Sequence, residues 1–161
     1  MHCAADECTS CWHCWPALAP QQRATSGGAS WLALGLDLRL STAAEGGRQN
    51  PLLLDTPFRY RPNWGLAGMP ELEQIGAPVL YSSAVHLPPG GRAHVVIVPL
   101  AEQSLPLWRE LRPGDTIRLY EGPRVCGLAM VVWVADTWRP MPDSDAIRFR
   151  DWVSGRGDWR P

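Results

Sequence analysis

The amino-acid sequence predicts an all-β domain, on three observations. First, residues 31–40 alternate, with Leu32, Leu34, Leu36, Leu38 and Leu40 on one face and Ala33, Gly35, Asp37 and Arg39 on the other. A period of two is the mark of a half-buried strand, and it outvotes the helical propensity of leucine because these leucines do not recur at helical spacing. Second, short apolar runs recur along the chain between Gly/Pro turns, with no long amphipathic helical pattern. That combination predicts a sandwich or a small barrel. Third, 45% apolar residues in a chain of 161 are enough for one packed core, and so for one domain.

Residues 1–30 stand apart from the rest of the chain. Cys3, Cys8, Cys11 and Cys14 lie here in a C-x4-C-x2-C-x2-C array, with His2 and His13 among them. Thiolates clustered this tightly can bind zinc, or with a fourth ligand an iron–sulfur cluster. Structural zinc sites usually hold two ligand pairs apart by a folded loop, and the fifth cysteine, Cys126, is isolated. A flexible, disordered leader is the other reading, because residues 21–30 have the composition of a linker.

The first strand runs into Glu45-Gly46-Gly47-Arg48-Gln49-Asn50-Pro51, and Tyr60-Arg61-Pro62-Asn63-Trp64 comes soon after. The glycine pair permits positive φ and close backbone approach. Arg48 and Arg61 can each present a planar fork of donors to phosphate or carboxylate. On the residues alone, a hairpin turn with solvated arginines stands beside that reading.

Next come the apolar run Leu52-Leu53-Leu54 and a short edge strand at 58–60, ended by Arg61-Pro62. Residues 65–76 read as a loop or a single helical turn. Residues 79–87 read as a strand stopped by Pro88-Pro89-Gly90-Gly91, and 92–100 as a strand rich in branched residues that ends at Pro99. A helical turn is expected around 107–111, and a turn at Arg112-Pro113-Gly114-Asp115. Residues 116–120 alternate again, Glu121-Gly122-Pro123-Arg124 makes a tight hairpin, and 125–135 is an apolar strand with Gly127 at a bulge or close approach. From Trp138 the chain is rich in Pro, Asp and Trp and reads as irregular, with a last strand or helical turn at 147–153.

Three of these stretches resemble, in order, the C-terminal β-barrel domain of elongation factor Tu and related translation GTPases. Glu45-Gly46-Gly47-Arg48-x-x-Pro51 with Tyr60-Arg61-Pro62 resembles its opening. Pro88-Pro89-Gly90-Gly91-Arg92 and the strand after it look like its MPGD turn. Residues 117–131, through Glu121-Gly122-Pro123-Arg124, look like its final hairpin. The resemblance covers about residues 31–138. It implies a small closed antiparallel barrel of about six strands at 31–138, with 1–30 as leader and 139–161 as a tail packed on or extending the barrel. The departures are specific. There is no P-loop and no N-K-x-D motif, Pro123 replaces a glycine, Tyr120 stands where the family has arginine, and 65–78 has no counterpart.

In that family the barrel holds part of aminoacyl-tRNA and contacts protein partners. The resemblance therefore implies RNA or partner contact at Arg48, Gln49, Glu121, Gly122 and Arg124, to which the residue reading adds Arg61. Phosphate contact needs arginine and backbone N–H groups at glycine turns, both present here. A net charge of −1 offers no global basic field, which disfavours strong stand-alone RNA affinity and any DNA partner. The expected function is a non-catalytic module that docks on a translation component or another protein, with direct tRNA binding and a zinc-binding accessory role as alternatives.

All 15 basic residues are arginine, so lysine Schiff-base chemistry is excluded. His94 lies in an apolar strand, Asp143 and Asp145 read as turn chemistry, and Cys126 reads as buried and inert; His86 is the other histidine of the barrel region. No Ser–His–Asp order or G-x-S-x-G motif occurs, and no catalytic residues are assigned. No run reaches the ~18–20 apolar residues of a membrane span. The chain is expected to be cytoplasmic with no membrane partner. Nine tryptophans are far more than usual, and Trp133, Trp138, Trp152 and Trp159 are expected to add a contact surface.

Overall fold

A computed structural model describes residues 28–159. The Cys3, Cys8, Cys11, Cys14 array lies outside the described residues. The strands are β1 (Ala29–Leu40), β2 (Leu52–Leu53), β3 (Asn63–Gly65), β4 (Ile75–Gly76), β5 (Val79–Ser82), β6 (His86–Leu87), β7 (Arg92–Ile97), β8 (Thr116–Glu121) and β9 (Arg124–Arg139). Among the described residues there are two α-helices: α1 (Leu105–Arg109), entered through a short 3-10 turn, and α2 (Asp143–Val153). Seven strands form one antiparallel sheet in the order β4-β3-β8-β9-β1-β7-β5, and β2 pairs with β6 apart from it.

The alternating leucine strand lies inside that sheet, between β9 and β7. It pairs with β9 along its whole length and with β7 from Leu34 to Arg39. Its five leucines are fully buried, as the pattern requires. Trp31 and Ala33, on the other face, are buried as well. The reason is α2. Ala146, Phe149, Trp152 and Val153 are its buried side chains, and Phe149 and Trp152 pack on Trp133 of β9, whose register partner on β1 is Gly35. Gly35 is required there, since a Cβ would stand 2.1 Å from Cε2 of Trp133.

The irregular tail expected after Trp138 is therefore corrected. β9 continues to Arg139, and the strand or helical turn expected at 147–153 is a helix, Asp143–Val153, whose first turn carries Asp143 and Asp145, favourable against the helix dipole. Asp145 accepts a hydrogen bond from Thr137 Oγ1 at 2.8 Å, which fastens the helix to β9. Ala29 and Ser30 belong to β1 rather than to the leader. The edge strand expected at 58–60 is a turn, and the strand lies at Asn63–Gly65.

A closed six-stranded barrel is not found. The two ends of the strand order, β4 and β5, are consecutive in the chain and separated only by Ala77-Pro78. Pro78 has no N–H to give to a ladder, so a regular closing strand is interrupted there. Hydrogen bonds nevertheless reach both ways from this segment. Ala77 N donates to Pro62 O at 3.4 Å and Val79 N to Tyr60 O at 2.9 Å. On the other side, Val98 N donates to Pro78 O at 3.2 Å and Leu100 N to Gly76 O at 3.1 Å. Trp64 Nε1 pins the same segment by donating to Ala77 O at 2.8 Å. Among the described residues, no helix is long and apolar enough to cross a membrane.

Candidate interaction site

The turn after β1 is built by Thr42 and Glu45. Thr42 N donates to Glu45 Oε2 at 2.7 Å, and Glu45 N returns a bond to Thr42 Oγ1 at 3.2 Å. This reciprocal pairing is the logic of a capping box, used here to close a turn. Arg39 Nη2 adds bonds of 3.0 and 3.1 Å to the same carboxylate. The Thr42 backbone N–H first, and Arg39 second, hold the Glu45 carboxyl below its ordinary value of 4.5. Both glycines of the motif are needed. Gly46 has φ +82°, and a Cβ on Gly47 would stand 2.3 Å from the carbonyl oxygen of Ser41.

Two further turns meet this one. Leu40 N donates to Gly91 O at 3.0 Å, and Ser41 N donates to Cys126 O at 2.9 Å. Thus the 45–51 turn, the 88–92 turn and the β8–β9 hairpin gather at one end of the sheet.

Glu121 is the acceptor that ties the group together. Arg48 Nη1 and Tyr60 OH both donate to its Oε1, the latter at 2.8 Å. Cys126 Sγ lies 3.8 Å from Oε2. Burial first, and the bond to Glu121 second, push the Tyr60 phenol far above its ordinary value of 10.0. Cys126 sits at the register shift where Leu119 pairs with Gly127 and Tyr120 with Val125. That bulge leaves Cys126 out of the β8 ladder and frees its carbonyl for Ser41.

The loop before β4 is stitched to the hairpin strand. Arg118 Nη2 donates to Met69 O at 3.1 Å, Tyr120 OH donates to Glu71 O, and Gln74 Nε2 donates to Gly122 O at 3.1 Å. Tyr120 has thereby a structural use in place of a cation.

The six residues singled out from sequence thus divide. Arg48 and Glu121 are bonded to each other, and Arg48 Nε is also given to Asn50 O at 3.2 Å. Gln49, Gly122 and Arg124 are exposed. Gly122 has φ +60° with open space around it, as the hairpin turn needs. Arg61 is not brought to Glu121; its Nε donates to Phe58 O at 2.9 Å, across a turn in which Phe58 itself has φ +61°. Sequence reasoning missed the acceptor role of Glu121 and the donor role of Tyr60. Beside the glycine pair, the Thr42-x-x-Glu45 spacing is a further legible signal for the turn.

Elsewhere, His94 stacks on Trp152 with ring centroids 5.0 Å apart. It faces an open cavity of about 310 Å³ shared with Asp37, Ser83 and Arg92. Its backbone N–H, not its ring, bonds Ser83 Oγ at 2.9 Å. Among the described residues no three His, Cys, Asp or Glu side chains are grouped to hold a metal ion. No protein-family model matches the chain, and no curated protein matches it.

Proposed function

We propose that the chain is a non-catalytic binding module that docks on a protein partner through the end of the sheet where the 45–51 turn and the β8–β9 hairpin meet. The observation that carries this reading is the shared acceptor Glu121, which holds Arg48 and Tyr60 from two other loops. A surface whose charged groups are already bonded internally is preorganised, and so loses little freedom on association. It presents Gln49, Gly122 and Arg124 outward. The resemblance to the C-terminal barrel of elongation factor Tu suggests a translation component as the class of partner. That resemblance also takes the sheet as a small closed antiparallel barrel of about six strands. Direct tRNA binding is the weaker reading, because Arg48 is occupied by Glu121 and the net charge is −1.

The test is affinity capture from native cytoplasm at mild salt, using the wild-type chain and an Arg124→Glu/Gln49→Ala variant. A protein recovered by the first and lost by the second supports the proposal. Recovery of tRNA, with an affinity that falls steeply with salt, replaces it by the RNA reading. Equal recovery by both chains refutes the assignment of this surface.

A further inference from the structure

Strand β9 outruns its neighbour β8. The β8–β9 ladder ends at Thr116 opposite Met130. Two loop bonds close it: Gly114 N to Val131 O and Val131 N to Asp115 O, each 2.8 Å. Beyond that point β9 is paired only to β1. Among the described residues, no backbone group forms a ladder along the outer edge of residues 132–136. Such an edge is a template for another strand.

This edge borders a cavity of about 450 Å³ lined by Val132, Trp133 and Val134 on one side and Leu111, Arg112 and Pro113 on the other. Its size lies within the about 300–1,000 Å³ usual for ligand sites. The walls are apolar and the rim is cationic. Arg112 Nη1 is anchored on the carbonyls of Arg109 and Leu111, at 2.7 and 3.0 Å. Arg109, also at the rim, is held by Asp136 at 2.6 Å. These bonds position two guanidiniums and leave further N–H donors on each. The flat faces of Trp159 are not the docking surface, since Trp133 stacks on the ring at 3.9 Å and Arg148 lies over it at 4.6 Å. Among the described residues, what remains available is the strand edge together with the arginines beside it.

We propose that residues 132–136 of β9 accept an extended acidic segment of a partner protein as an added strand. Its main chain completes the open ladder, its apolar side chains enter the cavity, and an adjacent carboxylate pairs with Arg112. The site is separate from the hairpin surface. Arg124 begins β9 eight positions before Val132, about 26 Å away at the ordinary strand rise, so either site can fail without the other.

The test uses the full chain and two sets of labelled short peptides, with valine, isoleucine or threonine alternating with glutamate in one set and with lysine in the other. Fluorescence anisotropy should show acidic peptides binding about tenfold more tightly than basic ones, and Arg112→Glu should reverse that preference. Because Arg112 also tethers its own loop, Arg109→Glu serves as a second variant with the same expected direction. In the wild-type chain, saturating acidic peptide should slow amide hydrogen exchange within residues 132–136 about tenfold. Indifference to peptide charge, no binding by any acidic peptide at millimolar concentration, or protection confined to other strands each overturns the proposal.

Discussion

Removing the carboxylate of Glu121 should loosen three loops at once. Side chains of Arg48 and Glu121 are each 26% exposed, so their bond is sheltered more than a surface ion pair. Exposed pairs contribute about 0–1 kcal/mol and bonds to charged groups about 1.5–3 kcal/mol. Glu121→Ala leaves the Arg48 guanidinium and the Tyr60 hydroxyl without their acceptor, and should cost about 2–3 kcal/mol. Tyr60→Phe removes one donor and should cost about 1–1.5 kcal/mol. Since Glu121→Ala and Tyr60→Phe each remove the Tyr60–Glu121 bond, the double variant should cost about 1 kcal/mol less than the sum. Urea unfolding at neutral pH measures each corner of the cycle, and thermal unfolding should shift by about 2–4 °C per kcal/mol. Arg124→Ala, on an exposed side chain, is the control and should change stability by less than about 0.5 kcal/mol. Additivity within about 0.3 kcal/mol refutes the direct Tyr60–Glu121 bond as the link between loops, as does a control that costs as much as Tyr60→Phe.

Three further outcomes rest on the geometry. The folded state disfavours ionised Tyr60, so the stability this phenol confers is complete below the unfolded value of 10.0 and declines as pH rises above it; the slope reaches about 1.4 kcal/mol per pH unit and should be absent in Tyr60→Phe unfolding curves. Gly35→Ala drives a methyl into the Trp133 ring and should destabilise by about 1–3 kcal/mol, measured by urea unfolding, with a change in tryptophan fluorescence. At Gly122, φ is +60° and no atom crowds the position, so thermal unfolding should show Gly122→Val losing about 1–2 kcal/mol while Gly122→Asn loses much less.

Strand β1 was legible because its five leucines recur every second residue over the whole of 32–40. Its second buried face was not, because the covering element, α2, offers only Ala146, Phe149, Trp152 and Val153 among charged neighbours and comes after Pro140-Met141-Pro142. That composition reads as irregular until the sheet supplies a surface for it. The strand at Asn63–Gly65 was hidden for a similar reason: its three residues carry no alternation, and their place is set by pairing with Leu119 and Tyr120 across the fold. At the candidate site, the turns and their glycines were readable from local chemistry. The acceptor was not, since Glu121 lies 73 residues from Arg48 and 61 from Tyr60, and a separation of that kind leaves no mark on local pattern.

The arginines are the reason the proposed function names a protein partner rather than RNA. With no lysine in the chain, every long cation is a rigid fork of donors. Many of these forks brace the fold itself. Arg39 holds Glu45, Arg48 holds Glu121, Arg61 and Arg118 reach backbone carbonyls, and Arg109 holds Asp136. A polyanion would have to compete for donors already aligned on oxygen, and its binding weakens with each phosphate left unneutralised. A protein surface makes a smaller demand. It needs one or two outward groups on a fixed frame, and Gln49, Gly122 and Arg124 are exposed at this end of the sheet. Reversing the charge at Arg124 should therefore abolish a protein contact made there, whereas an RNA contact would also require Arg48 to leave Glu121.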